Sequence, residues 1–171
     1  MAEAEDPGQN VEPPRVDPPK VDPPLGMYPG KLDEKGRMKL PSVFQEYFSA
    51  LQEKKLFVTS LDRHIAQIYP VSVWRENQRF LKSYRGDVAR AKNIAFNAAD
   101  LGSETEMDSQ GRIVFSPELR RELKIENQPV HLFAYKGHIE VLSEPIYLER
   151  KQKAIQTSQE DVEALDAAGL D

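Results

Sequence analysis

Apolar and polar residues alternate in short stretches that are separated by glycine- and proline-containing turns, a pattern typical of a chain that mixes strands with helices. Alternation with a period of two predicts strands, whose side chains point to opposite faces. The strands predicted in this way are Met27 to Leu32, Arg37 to Leu40, Leu56 to Thr59, Ala66 to Tyr69, Glu104 to Met107, Arg112 to Phe115, Val130 to Tyr135 and His138 to Leu142.

Helices are predicted where a proline or a capping residue precedes apolar residues at helical spacing. The predicted starts are Pro41, Pro70, Asp87, Ser116 and Pro145, and a short acidic helix is expected to be capped at Ser158 and stopped at Gly169. The first helix should bury one apolar face, which consists of Val43, Phe44, Tyr47, Phe48 and Leu51. The third should bury another, which consists of Val88, Ala91, Ile94, Ala95 and Ala98.

One motif occurs twice in the chain. Asp33-Glu34-Lys35-Gly36-Arg37 is followed 75 residues later by Asp108-Ser109-Gln110-Gly111-Arg112. An apolar–polar alternation and a helix-starting proline follow each copy. The aspartate accepts hydrogen bonds from turn amides, and the glycine tolerates the positive φ that closes such a turn. The repeat predicts two equivalent turns with an arginine just after each.

The repeat also predicts the architecture, because each half has the order strand, turn, strand, helix, hairpin, helix. Neither half has enough apolar surface to cover its own sheet, so we expect both to share one core about a pseudo-twofold axis. The predicted divisions are a proline-rich tail over 1–25, a first repeat over 26–100, a second over 101–157 and an acidic C-terminal helix or tail over 158–171. The fold class is therefore α+β.

The N-terminal tail contains a five-residue repeat with Pro-Pro in each copy, from Val11 to Leu25. Proline fixes φ and removes a donor, so this stretch should be an extended spacer and build no core. A ligand for a proline-binding partner is the alternative interpretation.

The net charge of −5 is concentrated at the two ends. Residues 1–26 carry two basic and six acidic groups, and residues 151–171 carry two basic and five acidic groups, which leaves 27–150 with nineteen basic and seventeen acidic. Because this central segment is only weakly basic, counterion release would add little to its binding free energy at DNA. If the protein binds DNA, it needs directed contacts or many copies.

The chain contains no cysteine, which excludes disulfides, thiolate metal ligands and cysteine nucleophiles. We find no apolar run of about 20 residues that would span a membrane, and the acidic start does not fit a secretory signal. A cytoplasmic location is the expectation.

With its two motifs, the chain resembles the MraZ family of bacterial transcriptional regulators, which are built from two AbrB-like repeats. The match covers residues 26 to 157, and it includes Gly26, the first motif, Ile68-Tyr69-Pro70 with Trp74, and the stretch Gly102 to Arg112. Glu118-Leu119-Arg120 and Glu140 also fit. Three features depart from the family pattern: Leu142 in place of a common tryptophan, Gln45 in place of a common basic residue, and the proline-rich extension.

The resemblance implies an AbrB/MraZ-like β-barrel core and a nucleoid-associated, cytoplasmic protein that assembles into a homo-oligomeric ring. It also implies binding to repeated guanine-containing boxes in double-stranded DNA upstream of its own operon, the division and cell-wall cluster, which the family can repress. Arg37 and Arg112 occupy the positions of the family's DNA-contacting arginines.

Physical chemistry assigns different roles within each motif. Arginine presents a planar fork of donors to guanine or phosphate, so Arg37 and Arg112 are the predicted contacts. Lysines flank only the first motif and should add phosphate contacts there; these are Lys31, Lys35 and Lys39. Carboxylates would be repelled by DNA, so four residues are assigned to the turns: Asp33, Gly36, Asp108 and Gly111. An ion pair of each arginine with its own aspartate is the competing structural interpretation.

Other function classes have less support in the sequence. His138 and Glu140 lie on one predicted strand face without a third metal ligand, and we find neither a glycine-rich phosphate loop nor a nucleophile in a suitable setting. We therefore expect no enzyme activity, no metal, no cofactor and no small-molecule substrate. The alternative function is an AbrB-like oligomeric interaction protein or antitoxin-like scaffold without specific DNA recognition.

Overall fold

The computed structural model describes residues 21–171, and most of the predicted proline-rich tail lies outside the described residues. Within this range each predicted strand is present to within one residue of its expected bounds, and the α+β class is confirmed. The elements are β1 (Tyr28–Lys31), β2 (Arg37–Lys39), α1 (Ser42–Ala50), β3 (Lys55–Thr59), β4 (Ala66–Pro70), α2 (Val71–Ser83), α3 (Val88–Leu101), β5 (Ser103–Glu106), β6 (Arg112–Val114), α4 (Pro117–Leu123), β7 (Pro129–Tyr135), β8 (His138–Ser143) and α5 (Glu144–Ala168).

Six strands form one antiparallel sheet in the order β1-β7-β8-β4-β3-β5. Exchanging each strand with its counterpart in the other half, β1 with β5, β3 with β7 and β4 with β8, reverses this order and leaves it otherwise unchanged. Strand β1 of the first half pairs with β7 of the second, and β5 of the second pairs with β3 of the first. The two halves therefore exchange edge strands about a pseudo-twofold axis. The domain boundaries stay a prediction.

The remaining strands, β2 and β6, form a separate antiparallel ribbon, in which Met38 lies opposite Ile113. A bridge between Leu32 and Met38 links this ribbon to the end of β1. The strands thus form two hydrogen-bonded sheets, and their closure into a barrel stays a prediction.

One hydrophobic cluster contains residues from both halves, as the shared-core prediction required. Leu32, Met38 and Phe44 from the first half pack with Ile113 and Phe115 from the second, and all five side chains are fully buried. Burial of such side chains contributes about 1.5–3 kcal/mol each. The same apolar residues therefore hold the ribbon against the sheet.

The predicted starts of α1 and α4 are confirmed. Pro41 precedes α1, and Ser116 caps α4 by accepting a hydrogen bond from the Leu119 backbone N–H at 3.2 Å. The apolar face predicted for α1 is buried at Phe44, Tyr47 and Phe48 and partly buried at Val43 and Leu51. Each helix begins directly after a ribbon strand.

The apolar face predicted for α3 is partly wrong. Ala91 and Ala98 are buried, but Val88 is 55% exposed and Ala95 is also exposed. The apolar residues of α3 have the expected helical spacing, but α2 and the sheet cover only one edge of the face they form. An apolar surface is left open between α2 and α3.

The separate C-terminal helix predicted to start at Ser158 is also wrong, because α5 continues without a break from Glu144 to Ala168. The Ser158 hydroxyl donates a hydrogen bond to the Ala154 backbone carbonyl one turn earlier and does not cap a new helix. The predicted stop at Gly169 is confirmed, since its φ of +117° ends the helix in a left-handed conformation.

Within residues 21–171, we find no helix that combines the length and the apolar character needed to cross a membrane.

Candidate nucleic-acid interface

The first motif forms a turn that is organised around the carboxylate of Asp33. Its Oδ1 accepts hydrogen bonds from the backbone N–H groups of Lys35 and Arg37, both at 2.9 Å, and its Oδ2 accepts one from Arg37 Nε at 2.8 Å. Gly36 closes the turn with a φ of +77°, which a glycine adopts without strain. The predicted structural roles of Asp33 and Gly36 agree with this geometry.

The second motif repeats the arrangement. Asp108 Oδ1 accepts from Gln110 N at 2.9 Å and from Arg112 N at 2.8 Å, and Oδ2 accepts from Arg112 Nε at 2.8 Å. Gly111 has a φ of +75°. Each of these distances lies within 0.1 Å of its counterpart in the first turn. The sequence repeat is therefore also a repeat of side-chain geometry.

Both arginines are thus paired with their own aspartates, which was the competing interpretation. The pairing uses only Nε, and neither arginine donates a hydrogen bond from an Nη group to any residue in 21–171. The side chains are 36% exposed at Arg37 and 32% exposed at Arg112. The aspartate restrains each guanidinium through Nε and leaves its Nη donors without a hydrogen-bond partner within the described residues.

The motif aspartates are held ionised. The backbone N–H of Arg37 is the largest cause that lowers the pKa of Asp33, and the Arg112 N–H does the same for Asp108. The guanidinium side chains add to the lowering of both pKa values. The ion pairs therefore persist at neutral pH.

The ribbon brings the two arginines onto one surface. In β2 and β6 the central residues Met38 and Ile113 point into the core, so their neighbours point outward. The register pairs Arg37 with Val114 and Lys39 with Arg112. We call the outward side of these four residues, Arg37, Lys39, Arg112 and Val114, the ribbon face.

The predicted lysines extend this face on one side. The Leu32–Met38 bridge sets Lys31 opposite Lys39, which in turn lies opposite Arg112. Like charges directly opposite one another in a sheet are destabilising. A row of three cations on adjacent strands therefore favours binding of an anion that spans them.

No equivalent row lies beside Arg37 in the described strands. The residues 75 positions after Lys31, Lys35 and Lys39 are Glu106, Gln110 and Val114, as the sequence shows. Lys35 itself lies exposed in the first turn. The two ends of the ribbon have equivalent arginines and unequal surrounding charge, but the strand register places Lys31 and Lys39 of the first half in a row with Arg112 of the second motif, whereas Arg37 lies opposite Val114.

Gln45 and Arg120, which the sequence analysis named only for their fit to the family pattern, lie beneath the turns. Arg120 on α4 reaches the first turn and donates a long hydrogen bond of 3.5 Å to the Glu34 carbonyl, and its side chain is 10% exposed. Gln45, at the equivalent position of α1, packs under Gly111. The 75-residue spacing of Gln45 and Arg120 was the available signal.

Reciprocal backbone hydrogen bonds tie each turn to the other half. Leu40 N donates to the Gly111 carbonyl at 2.9 Å, and Phe115 N donates to the Gly36 carbonyl at 2.8 Å. Movement of one motif therefore strains the other strand of the ribbon. The two arginines therefore belong to one connected structural unit.

His138 and Glu140 lie side by side, with His138 Nε2 3.2 Å from Glu140 Oε1. In the described part of the chain, no group of three potential ligands that would hold a metal is present.

Characterised families contain proteins that match most of the chain. The transcriptional regulator MraZ of Acidobacterium capsulatum is 30% identical over 145 residues, which is 85% of this chain and 98% of that protein. The chain belongs to the MraZ family. MraZ of Herpetosiphon aurantiacus is 34% identical over 62% of this chain and 71% of its own length. MraZ of Cupriavidus pinatubonensis is 30% identical over 72% of this chain and 84% of its own length. No protein-family model matches the chain.

Membership confirms the resemblance carried by the doubled motif. In this chain the motif arginines, the ribbon lysine Lys39 and the neighbouring Lys31 lie together. The DNA-contact role of these residues stays a prediction.

Proposed function

We propose that this chain is a transcriptional regulator, as its relatives are named, that it binds DNA, and that Arg37 and Arg112 contact guanine bases. The observation that carries the proposal is the pair of partly exposed guanidinium groups that bond to the protein through Nε alone, since their Nη groups donate no hydrogen bond within residues 21–171. Two parallel N–H donors match the O6 and N7 acceptors that guanine presents in the major groove.

The ribbon face fits the groove as a unit. The major groove of B-DNA admits a two-stranded β-ribbon, and β2–β6 presents its basic side chains on one outward surface. Arg37 and Arg112 are diagonal neighbours across the ribbon, which places their Cα atoms about 7–8 Å apart. That span corresponds to roughly two base steps of 3.4 Å along one strand.

The lysines supply contacts of a different kind. Lys31, Lys35 and Lys39 present single charges, which grip phosphate without distinguishing bases. Lys31 and Lys39 lie in a row with Arg112, and Lys35 lies in the turn before Arg37, so we expect the Arg112 end of the ribbon to bind the backbone more strongly. Each lysine contact adds salt dependence, and each arginine contact to guanine adds about 1–3 kcal/mol of specificity.

So few contacts give modest affinity for one copy, because the segment 27–150 has an excess of only two basic groups. Several subunits that bind several boxes overcome this limit through effective concentration. We therefore propose a homo-oligomeric, ring-like assembly on repeated boxes upstream of its own division and cell-wall operon, which it represses. A nucleoid-associated location follows from this activity.

The test is binding of the purified protein to the DNA upstream of its own gene and to unrelated DNA, over a series of salt concentrations. Variants are Arg37→Ala, Arg112→Ala and the double substitution, with Lys136→Ala as a surface-charge control in the β7–β8 turn. We expect the arginine variants to lose preference for the upstream DNA while they stay folded and assembled. Lys136→Ala should bind as the wild type does.

Equal and weak binding of the wild type to both DNAs would refute specific recognition. It would favour the alternative, an oligomeric interaction protein or antitoxin-like scaffold. The exposed acidic end of α5 is the observation that supports that alternative.

A further inference from the structure

The outer part of α5 has no partner within the described chain. Every residue from Leu148 to the end of the helix at Ala168 is exposed, over roughly 30 Å at 1.5 Å per residue. A helix that buries no face is marginally stable in water, because most helical stability in proteins comes from packing. This part of α5 therefore lacks the contacts that would stabilise it.

The side chains of this segment have the pattern of a docking helix. Ile155, Val162 and Leu165 lie on one side and are 59%, 51% and 54% exposed. Asp161 flanks this apolar stripe on one edge and Glu163 on the other, by helical geometry. Residues 154–171 contain five acidic groups and no basic group. The segment therefore fits an apolar surface with positive charge on both sides.

Such a surface lies between α2 and α3. A groove of about 860 Å³ is lined by the rings of Phe57 and Trp74 and by small side chains of α3 such as Ala95. Short side chains let a helix approach closely. The groove is the surface that α3 leaves open where its apolar face was expected to be buried.

Positive charge borders the groove on both sides. Four basic side chains line it against one acidic group, Glu104, and the basic residues are Arg75, Arg79 and Lys82 on α2 and Lys92 on α3. Lys82 and Lys92 form no ion pair with any residue in 21–171, and Arg79 lies 3.8 Å from Glu76 at a highly exposed site. The charge of the groove is therefore largely uncompensated.

We infer that the acidic end of α5, residues 154–168, docks into the groove between α2 and α3 of a second copy of this chain. A continuous helix that starts on β7 and β8 does not turn back onto its own α2–α3 surface. The inference rests on the proposed self-assembly and names the two surfaces that form its interface.

Self-pairing of α5 is the competing arrangement. A parallel pair would set the four acidic groups of residues 154–168 in one copy beside those of the other, and like charges repel. The groove instead offers opposite charge. Helix-to-groove contact joins unlike surfaces, so it is head-to-tail and produces a ring when the rotation closes.

Charge reversal on the full chain tests the docking. One variant carries Arg79→Glu and Lys82→Glu in the groove, another carries Asp161→Lys and Glu163→Lys in α5, and a third carries all four. All four positions are exposed, so each variant should fold. Arg90→Glu, on α3 outside the groove, is the matched control. Molar mass is measured by light scattering, and folding by circular dichroism.

We expect an assembled wild type and control, loss of the assembled species in each double variant, and recovery in the fourfold variant. Assembly that survives groove reversal, including assembly through α5 self-pairing, would overturn the docking and leave the proposed DNA recognition intact. A wild type that is monomeric at every concentration and with its upstream DNA would refute self-assembly itself. Dissociation without recovery in the fourfold variant would also overturn the docking.

Discussion

At the scale of single residues, Asp33 and Asp108 each hold a turn and an arginine with one carboxylate. One oxygen accepts two backbone N–H groups, and the other accepts the arginine Nε. The bond at Nε restrains the orientation of the guanidinium, and the Nη groups keep their donors for a ligand. A guanidinium fixed in this way has less conformational entropy to lose when it binds a base.

The pH dependence of stability follows from the same carboxylates. Their folded-state pKa values are lowered, chiefly by the backbone N–H groups of Arg37 and Arg112. Stability from a lowered pKa is present above the unfolded value of about 3.9 and is lost as pH falls through the folded value. We expect the thermal-melting advantage of wild type over the variant Asp33→Asn/Asp108→Asn to be full near neutral pH. It should shrink below about pH 4. An advantage that is the same at both pH values would contradict this.

At the scale of elements, the turns depend on residues from the opposite half. A Cβ at Gly36 would lie 2.3 Å from Arg120 Nη1 and 2.7 Å from its Cδ. Arg120 belongs to α4, which begins after the second ribbon strand. The helix of one half therefore limits what the turn of the other half can contain.

Two alanine substitutions separate this packing from backbone strain. Gly36 has a φ of +77° and Gly137 a φ of +81°, but a Cβ at Gly137 meets nothing closer than Val73 Cγ1 at 3.9 Å. The left-handed backbone conformation costs an alanine about 1–2 kcal/mol, and this cost applies at both positions. We expect Gly36→Ala to lower the free energy of unfolding by more than Gly137→Ala, in urea titrations. Equal losses in the free energy of unfolding would show that the Arg120 side chain moves aside without an energetic penalty.

Amide hydrogen exchange in α5 tests its dependence on a partner. If residues 154–168 are stabilised only by docking, their amides should exchange rapidly in the groove-reversed variant and slowly in the assembled wild type. Amides of β7 and β8 serve as the internal control, because they lie within the sheet in both proteins. Equal protection of α5 in the two proteins would contradict this expectation.

Elements with local signals were predictable from sequence, and non-local contacts were not. The Asp-x-x-Gly-Arg pattern predicted both turns, and Ser116-Pro117 predicted the start of α4, because each depends on neighbouring residues. The pairing of β1 with β7 depends on contacts about 100 residues apart, which periodicity does not specify. The placement of Arg120 under Gly36 is equally non-local.

Ser158 shows the limit of a local signal. It precedes Asp161 by three residues, as a helix-capping residue often does. No residue of α5 before Ser158 ends the helix, so the Ser158 hydroxyl donates its hydrogen bond to a backbone carbonyl of the preceding turn. The exposed part of α3 was missed for a similar reason, since periodicity identifies an apolar face and not what covers it.

At the scale of the whole molecule, the two halves combine an equivalent pair of arginines with unequal charge around them. The strand exchange places both arginines on one ribbon, and the reciprocal hydrogen bonds between Gly36, Gly111 and the ends of the ribbon strands fix their relative position. Oligomerisation would present many such ribbons at regular intervals, which suits repeated boxes in DNA.

The most direct test of this account measures the affinity of the wild type and the Arg37→Ala/Arg112→Ala variant for upstream DNA that contains either guanine or 7-deazaguanine. The modified base lacks the N7 acceptor. We expect the wild type to bind the modified DNA more weakly, by about 1 kcal/mol or more for each contacted box. The double variant should bind both DNAs alike. A wild type that is indifferent to the modification, or a double variant that is as sensitive as the wild type, would contradict recognition of guanine by these arginines.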